Sequence, residues 1–207
     1  DSIEALNNLK VGNQGTNFSS NEIEYNAILN LINNMNTKKY WLYAPGENAS
    51  KWDEFYEQGI MGLGWDELGD LAQYDSRKDI ELKLKDIYNT QSAKYNDTRA
   101  NLEFKESIGI GDIVIVKKGR RALLGYGEVV SDYYYDKQRA SYQKCRKVKW
   151  LLKDSVSSWP TDHDMAIKTL TDISTYESEN PDYDFYYELL LATMGVNGTK
   201  LKVTQVK

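Results

Sequence analysis

A hairpin in the middle of the chain constrains the fold most. Ile113 to Val116 is an apolar, largely β-branched run, and it follows a Gly-Asp pair. The basic stretch KKGRR (117–121) separates it from a second β-rich run, LLGYGEVV (123–130). Two such runs about a turn that contains glycine predict an antiparallel hairpin. The chain must therefore build a β-sheet.

Further strands and several helices are predicted on either side of this hairpin. Tyr40 to Tyr43 predicts a buried strand that ends at Pro45-Gly46, and Ile60 to Trp65 predicts another. KVKWLL (147–152) alternates as a half-exposed strand does. Helix starts are expected at capping patterns near 19–22, 50–53, 76–79 and 161–164, with further helices over about 98–108 and within 183–194. The helix from 76–79 would carry Tyr88 on its apolar side, and the helix from 161–164 would run through Ile167 and Leu170.

Together these elements predict an α+β fold, with helices packed on a small mixed sheet. We expect a helical extension over residues 1–37, a main domain over 38–175, and a C-terminal helix and tail over 176–207. The chain opens DSIEAL without Met and ends VTQVK, which is typical of a piece of a longer polypeptide, so further domains are expected beyond the tail.

The composition excludes several classes of site. One Cys gives no disulfide framework, and one His gives no His/Cys zinc cluster. No phosphate-binding loop and no GxSxG motif occurs, and no apolar run or leader directs the chain into a membrane or out of the cell. We therefore predict no cofactor and no metal, and a cytoplasmic protein that is independent of membranes.

The charge is distributed unevenly. The whole chain carries −5, whereas Val114 to Lys153 holds eleven basic residues against three acidic ones and carries +8. The remainder carries −13. Such a block is either a localised surface that binds anions or the solvated face of a sheet.

Carboxylates offer the main candidate for catalysis. Asp66, Glu67 and Asp70 in WDELGD could supply an acid and base pair or a magnesium site. Acidic residues just after a strand more commonly cap helices and face solvent. The single histidine, His163, is expected to be a surface or capping residue, so no catalytic residue is predicted.

Five motifs together resemble a known family. In order and spacing, they are similar to the EVE-like modules at the front of McrB-type restriction proteins, which belong to the PUA-like superfamily together with YTH domains. The similarity extends over roughly Lys38 to Ile173. The motifs are YWLYAPG (40–46), GLGWDELGD (62–70), GDIVIVKKG (111–119), LGYGEV (124–129) and RKVKW (146–150).

The resemblance implies a strongly curved, barrel-like sheet surrounded by helices, and a function in reading modified bases. A methylated base in DNA would be flipped into an aromatic cage, and the parent protein would carry a GTP-driven AAA+ motor and recruit a nuclease subunit. The domain itself would not be an enzyme. An RNA reader of the YTH type, a magnesium-dependent enzyme that uses WDELGD, and a protein-interaction module remain alternatives.

The resemblance also implies site residues. The turn Ala44-Pro45-Gly46 corresponds to the edge against which relatives hold the base, and Trp65 corresponds to a cage tryptophan followed by a polar group, Asp66. The aromatic run at 133–135 lies near another cage position, which Tyr133 or Tyr135 would occupy. Apart from the resemblance, the uneven charge favours phosphate contacts at Lys117, Lys118, Arg120 and Arg121, with a generic solvated turn as the alternative.

The other tryptophans have competing interpretations. Trp41 and Trp150 are expected in the core, and Trp159 as a cover of the sheet edge. Trp52 could pack its helix or line the pocket, and the base-binding hypothesis includes it. Cys145 is expected to be a small buried residue.

Overall fold

The computed structural model describes residues 38–156 and 164–174, without the side chains of 154–156. In this part of the chain we number seven strands and three helices. The strands are β1 (Tyr40–Tyr43), β2 (Ile60–Leu63), β3 (Ile113–Lys118), β4 (Ala122–Val129), β5 (Tyr134–Tyr135), β6 (Lys144–Val156) and β7 (Leu170–Asp172). The helices are α1 (Trp52–Gln58), α2 (Arg77–Ile87) and α3 (Tyr95–Glu106), and short 3-10 turns span Glu47–Ala49, Asp66–Leu68 and Leu71–Gln73.

The strands form one mixed sheet in the order β2-β6-β4-β3-β1-β7, with β5 paired to the start of β6. The strands β1 and β3 are parallel, and the other pairs are antiparallel. The β3–β4 hairpin is present as predicted. The α+β fold with a mixed sheet is confirmed.

The sheet is strongly curved, as one side-chain contact demonstrates. The Tyr43 hydroxyl on β1 donates to the carbonyl of Gly62 on β2 and accepts from its N–H. Three strands lie between β1 and β2 in the sheet order. A phenol can reach across them only if the sheet curls back on itself.

Alternation along the strands divides the core between the two faces of the sheet. On β1, Trp41 and Tyr43 lie in the larger apolar cluster with Phe55 of α1 and Phe104 of α3. The intervening Leu42 lies in the cluster on the opposite face. Trp41 is fully buried, as predicted, and its indole N–H donates to a carboxylate oxygen of Asp112 at 2.8 Å.

The helices begin partly where the sequence predicts. Ser76 and Asp79 form the predicted capping box at the start of α2. In contrast, Lys51 precedes α1 and no side chain caps that helix, so the predicted Ser50 cap is wrong. No helix in the described part of the chain is long and apolar enough to cross a lipid bilayer.

The predicted helix through Ile167 and Leu170 is wrong. Leu170 to Asp172 instead form β7, which pairs antiparallel with β1. Ile167 is 75% exposed and so belongs to no apolar helix face. The predicted helices within 1–37 and 183–194, together with Trp159 and His163, lie outside the described residues.

Candidate functional site

A pocket of about 580 Å³ lies where the chain leaves three strands. Its lining comes from the turn after β1, from the end of β2 and the turn after it, and from the end of β3. Tyr88 after α2, Tyr142 before β6, and Ile167 and Thr169 before β7 complete it. Loops held by a rigid sheet are where binding sites concentrate. We call this space the aromatic pocket.

Three aromatic side chains line the aromatic pocket, namely Trp65, Tyr88 and Tyr142. Tyr142 is held from behind by Phe55, whose ring meets it edge to face at 5.6 Å. Within the described residues, no ring contact joins Trp65 to Tyr142. The pocket therefore presents aromatic surface on separate walls.

The backbone around the aromatic pocket is strained. Five described residues other than glycine have positive φ, and four of them, Asn48 (51°), Ala49 (59°), Trp65 (58°) and Tyr142 (54°), line it. The fifth, Asn89, follows Tyr88. A bulky residue in this conformation costs about 1–3 kcal/mol, and such strain clusters at functional sites. The concentration of strained residues here favours a functional role for this pocket.

Two reciprocal contacts join the segments that carry Trp65 and Tyr142. The Asp66 carboxylate accepts from the backbone N–H of Tyr142 at 2.9 Å and of Gln143 at 3.0 Å. In return, the Lys144 ammonium donates to the Trp65 carbonyl at 2.5 Å. The two aromatic residues are therefore fixed relative to each other by charged groups behind them.

Burial has shifted the pKa values of Lys144 and of Cys145 beside it. It lowers the pKa of the Lys144 ammonium to about 8, although Asp66 and Glu67 act in the opposite direction. It raises the pKa of the adjacent Cys145 thiol to about 11. The buried thiol donates to the Tyr142 carbonyl at 3.3 Å. The prediction that Cys145 is a small buried residue is confirmed.

Two glycines make room for Tyr142. A Cβ on Gly62 would lie 2.8 Å from Cζ of Phe55 and 3.2 Å from Cβ of Tyr142. A Cβ on Gly46, whose φ is 74°, would lie 3.0 Å from the Tyr142 hydroxyl. Only glycine fits both the space and, at Gly46, the backbone conformation.

Three of the predicted base-pocket residues line the aromatic pocket: Ala44, Gly46 and Trp65. Pro45, between the first two, is buried, and its carbonyl accepts from the Lys51 N–H. It does not line the pocket.

Trp52 lies in the core rather than on the pocket wall. It is 6% exposed and meets Trp150 edge to face at 4.7 Å. Trp150 is half-buried, and its N–H donates to the Phe55 carbonyl. Of the two interpretations of Trp52, the structure favours helix packing.

The remaining predicted residues support the site from outside its lining. Tyr133 donates to Asp70 at 2.8 Å and accepts from the Leu71 N–H, which fixes the turn that follows Trp65. Tyr135 donates to the Gln143 side chain at 2.5 Å. Asp66 holds the backbone of Tyr142, as described above. None of the three lines the aromatic pocket.

The basic block does not form one charged surface. Lys117, Lys144 and Arg146 are buried. Arg146 donates to the carbonyls of Phe104, Lys105 and Ser131, so it closes the C-terminal end of α3. Fewer basic side chains of this block are therefore accessible to a ligand than the sequence count indicates.

The predicted phosphate-binding residues fall into separate environments. Arg120 and Arg121 are exposed, and both pair with Asp164, at 2.9 and 2.8 Å. Lys118 is exposed, whereas Lys117 is buried and lines the pocket together with Arg120. A phosphate at this turn would compete with Asp164 for the two guanidinium groups.

Two of the three WDELGD carboxylates are hydrogen-bonded within the fold, whereas Glu67 is exposed and lines the aromatic pocket. Asp66 accepts two backbone N–H groups, and Asp70 accepts from Tyr133 and from the Ala72 N–H. In the described ranges no three His, Cys, Asp or Glu side chains are grouped so that they could hold a metal ion.

Sequence reasoning missed Tyr142, Tyr88 and Asn48 as pocket residues, and assigned Lys117 to the surface. Tyr142 stands in SYQKC, a polar stretch with no apolar period, and nothing in the sequence marks its positive φ. Tyr88 belongs to the predicted apolar side of its helix, yet it is 45% exposed. No sequence signal distinguishes these residues from ordinary surface positions.

Comparison with known proteins gives one family match. The family model described as Domain of unknown function (DUF8426) matches residues 41–174. No curated protein matches the sequence.

Several solved structures match this chain at low identity and low TM-score. The Mmi1 YTH domain is 14% identical at a TM-score of 0.30, over 60% of this chain and 66% of that one, just under two thirds of its length. The YTH domain of Zygosaccharomyces rouxii MRB1, in complex with N6-methyladenosine RNA, is 12% identical at a TM-score of 0.32, over 72% of this chain and 71% of that one. Protein Atu2648 from Agrobacterium tumefaciens is 14% identical at a TM-score of 0.36, over 77% of this chain and 95% of that one.

Proposed function

This chain belongs to the family described as Domain of unknown function (DUF8426), and we propose that its main domain, over residues 38–175, reads a modified base in nucleic acid. The base would leave the duplex and enter the aromatic pocket. Trp65 and Tyr142 would stack on it, and the Gly46 turn would meet its edge. The domain would act by binding, without catalysis and without a cofactor.

The observation that carries this proposal is the pair of aromatic residues on strained, mutually fixed loops. Extruding a base costs a few kcal/mol of stacking and pairing. Stacking on protein aromatics returns about 1–3 kcal/mol per base. Two such walls can therefore offset the cost of extrusion.

A methyl group on the base would add further affinity. Burial of one methyl carbon contributes on the order of 0.8 kcal/mol, which is about fourfold in affinity. Preference for a modified base therefore remains modest unless the pocket also leaves polar atoms of the plain base unpaired. Asn48 lines the pocket, and its side-chain amide has no hydrogen-bond partner among the described residues, so it is available to read a base edge.

The finer proposal is a reader of methylated DNA in a McrB-type restriction system, in a cytoplasmic parent protein with an AAA+ motor and a nuclease partner. The five motifs of the EVE-like and PUA-like resemblance support it.

The exposed turn after β3 would contact the phosphates. Lys118, Arg120 and Arg121 stand there, and Arg120 also borders the pocket. Phosphate oxygens would displace Asp164 from the two arginines. This exchange makes the gain per contact smaller than for free arginines and predicts a shallow salt dependence.

A competition assay tests the function. Duplexes with one 5-methylcytosine, one 5-hydroxymethylcytosine, one N6-methyladenine or no modification would compete for the protein against a labelled probe, beside matched RNA. Preference for one modified duplex supports the proposal, and equal affinity for modified and plain duplexes contradicts it. If the modified RNA binds more tightly than its DNA counterpart, the domain is an RNA reader. Turnover of any probe with Mg²⁺, abolished by Asp66→Asn, would favour the enzyme alternative.

A further inference from the structure

Lys117 occupies an unusual place for a lysine. It is 2% exposed and lies near the end of β3, yet it lines the aromatic pocket. The pairing with β4 shifts there, since Val116 opposes Gly125 whereas Lys117 opposes Leu123. Such bulges redirect a side chain and are common beside binding sites. The irregularity is one extra residue on β4, Leu124, and it lies beside Lys117, which lines the pocket.

The ammonium of Lys117 has little to satisfy it. It donates one hydrogen bond, to the Gly119 carbonyl at 3.2 Å, although an ammonium carries three donors. No carboxylate within the described residues lies at ion-pair distance from it. Burial of a cation without a counter-charge costs free energy of folding. Titratable groups in such environments concentrate at functional sites.

We infer that Lys117 donates a hydrogen bond to an acceptor atom of the base in the aromatic pocket, either a ring nitrogen or a carbonyl oxygen. This inference rests on the proposed function and names the group that reads the base edge. The base is a better candidate than a phosphate because the sugar-phosphate chain must run in and out at the pocket mouth. Arg120, which is 52% exposed, stands where a phosphate can reach, whereas Lys117 does not.

The protonation of Lys117 gives this contact a distinct signature. Burial alone lowers its pKa to about 8, and no neighbouring charge contributes. Four other charged or titratable side chains line the same pocket beside the ring of Tyr142: Glu47, Glu67, Tyr88 and Arg120. An acceptor on the base stabilises the charged form, so binding near pH 8 should take up about half a proton. At about pH 6.5 the free protein already holds that proton, and the uptake should vanish.

Calorimetry of the full chain in two buffers of different ionisation enthalpy measures this uptake. The probes are the 5-methylcytosine and N6-methyladenine duplexes, together with a duplex that has an abasic site in place of the modified base. We expect uptake with the preferred modified duplex and none with the abasic one. Uptake of the same size with the abasic duplex would assign Lys117 to phosphate and overturn the inference.

Variants separate the lysine from its neighbours. Lys117→Met should remove the uptake and weaken binding about tenfold, as for loss of a hydrogen bond from a charged donor. Lys149→Met, at an exposed position of β6 outside the pocket, should keep the uptake. Lys117→Arg, which stays charged over the accessible pH range, should bind without uptake and should not weaken between pH 7 and 9. Unchanged uptake in a folded Lys117→Met protein would overturn the inference.

Failure of the inference and failure of the proposed function give different results. If wild-type protein does not distinguish modified from plain duplexes, the reader function fails whatever Lys117 does. If wild-type protein prefers the modified duplex but takes up no proton near pH 8, the reader function stands and the role of Lys117 is wrong.

Discussion

The ammonium of Lys144 lies 2.5 Å from the carbonyl oxygen of Trp65 and donates a hydrogen bond to it. Trp65 has the left-handed backbone that bulky residues avoid, with φ at 58° and ψ at 48°. A buried charged donor therefore holds the pocket tryptophan in a conformation it would not adopt freely. Lys144 should therefore matter more for ligand binding, through Trp65, than for the stability of the fold.

Replacing Lys144 by Met should separate stability from binding. Loss of the hydrogen bond removes about 1.5–3 kcal/mol, but the change also removes the burial of an ammonium, so the free energy of unfolding should change by only about 1 kcal/mol. The affinity for the modified duplex should fall about tenfold because Trp65 is released. Urea denaturation and fluorescence anisotropy measure the two effects. Lys147→Met, exposed on the same strand, is the control, and equal affinity in the two variants would contradict the role of Lys144.

Removal of either pocket ring should weaken binding by the loss of one stacking partner. Trp65→Ala and Tyr142→Ala should each cost about 1–3 kcal/mol of binding free energy, or roughly 5- to 150-fold in affinity. Tyr95→Ala, at an exposed tyrosine that does not line the pocket, should bind as wild type does. A folded Tyr142→Ala protein with wild-type affinity would remove Tyr142 from the site.

Substitution of the core tryptophans should mainly lower the stability of the domain. Trp41→Ala and Trp52→Ala empty buried space and should lower the free energy of unfolding by about 3–5 kcal/mol. Trp65→Ala should lower it by less because Trp65 is only half-buried. Chemical denaturation of the three variants ranks them, and a Trp65→Ala protein as unstable as Trp41→Ala would mean that Trp65 is a core residue.

Gly62 and Gly64 form a matched pair for a packing test. Gly62→Ala would bring a methyl group within 2.8 Å of Phe55 and should destabilise the domain by about 1–3 kcal/mol. Gly64→Ala would place its methyl group 3.5 Å from the Tyr142 ring, an ordinary contact, and should change stability by about 0.5 kcal/mol or less. Thermal unfolding of both proteins tests the difference, and equal melting temperatures would contradict it.

Stability should depend on pH through the two buried lysines. The pKa values of Lys117 and Lys144 are lowered from 10.5 to about 8. Between these values the unfolded chain binds more protons than the folded one, so both lysines make the free energy of unfolding rise with pH. Cys145, with its pKa raised from 9.0 to about 11, opposes this rise above pH 9.

The pH range from 8 to 9 therefore isolates the lysines. Denaturation at several pH values should give a shallower rise for Lys117→Met than for wild type. The same slope in both proteins would mean that Lys117 has an ordinary pKa.

The fold could be predicted from local patterns more fully than the site. The β3–β4 hairpin and the capping box of α2 are signals within a few residues, and both are present. The helix expected through Ile167 failed because apolar spacing over few residues does not distinguish a helix from a short buried strand. Leu170 to Asp172 became a strand because β1 offered a free edge, which the local sequence cannot reveal.

The candidate site depended on relationships between distant residues. Trp65 and the Gly46 turn were predicted from a motif, and both line the pocket. Tyr142 was missed because its position depends on Asp66, which lies 76 residues earlier in the chain. The aromatic run at 133–135 was more conspicuous in sequence, yet Tyr133 uses its hydroxyl to hold the turn at Asp70.

The contact between Tyr43 and Gly62 has a consequence for solubility. In the described sheet β2 is an edge strand, and unpaired backbone groups on such an edge can recruit another chain. The Tyr43 hydroxyl occupies both the N–H and the carbonyl of Gly62, so this part of the edge cannot template intermolecular pairing. A neighbouring strand in that place would also have protected the edge, but it would have filled the space beside Gly62 that the pocket uses. A single phenol thus guards against aggregation while leaving a ligand room to enter.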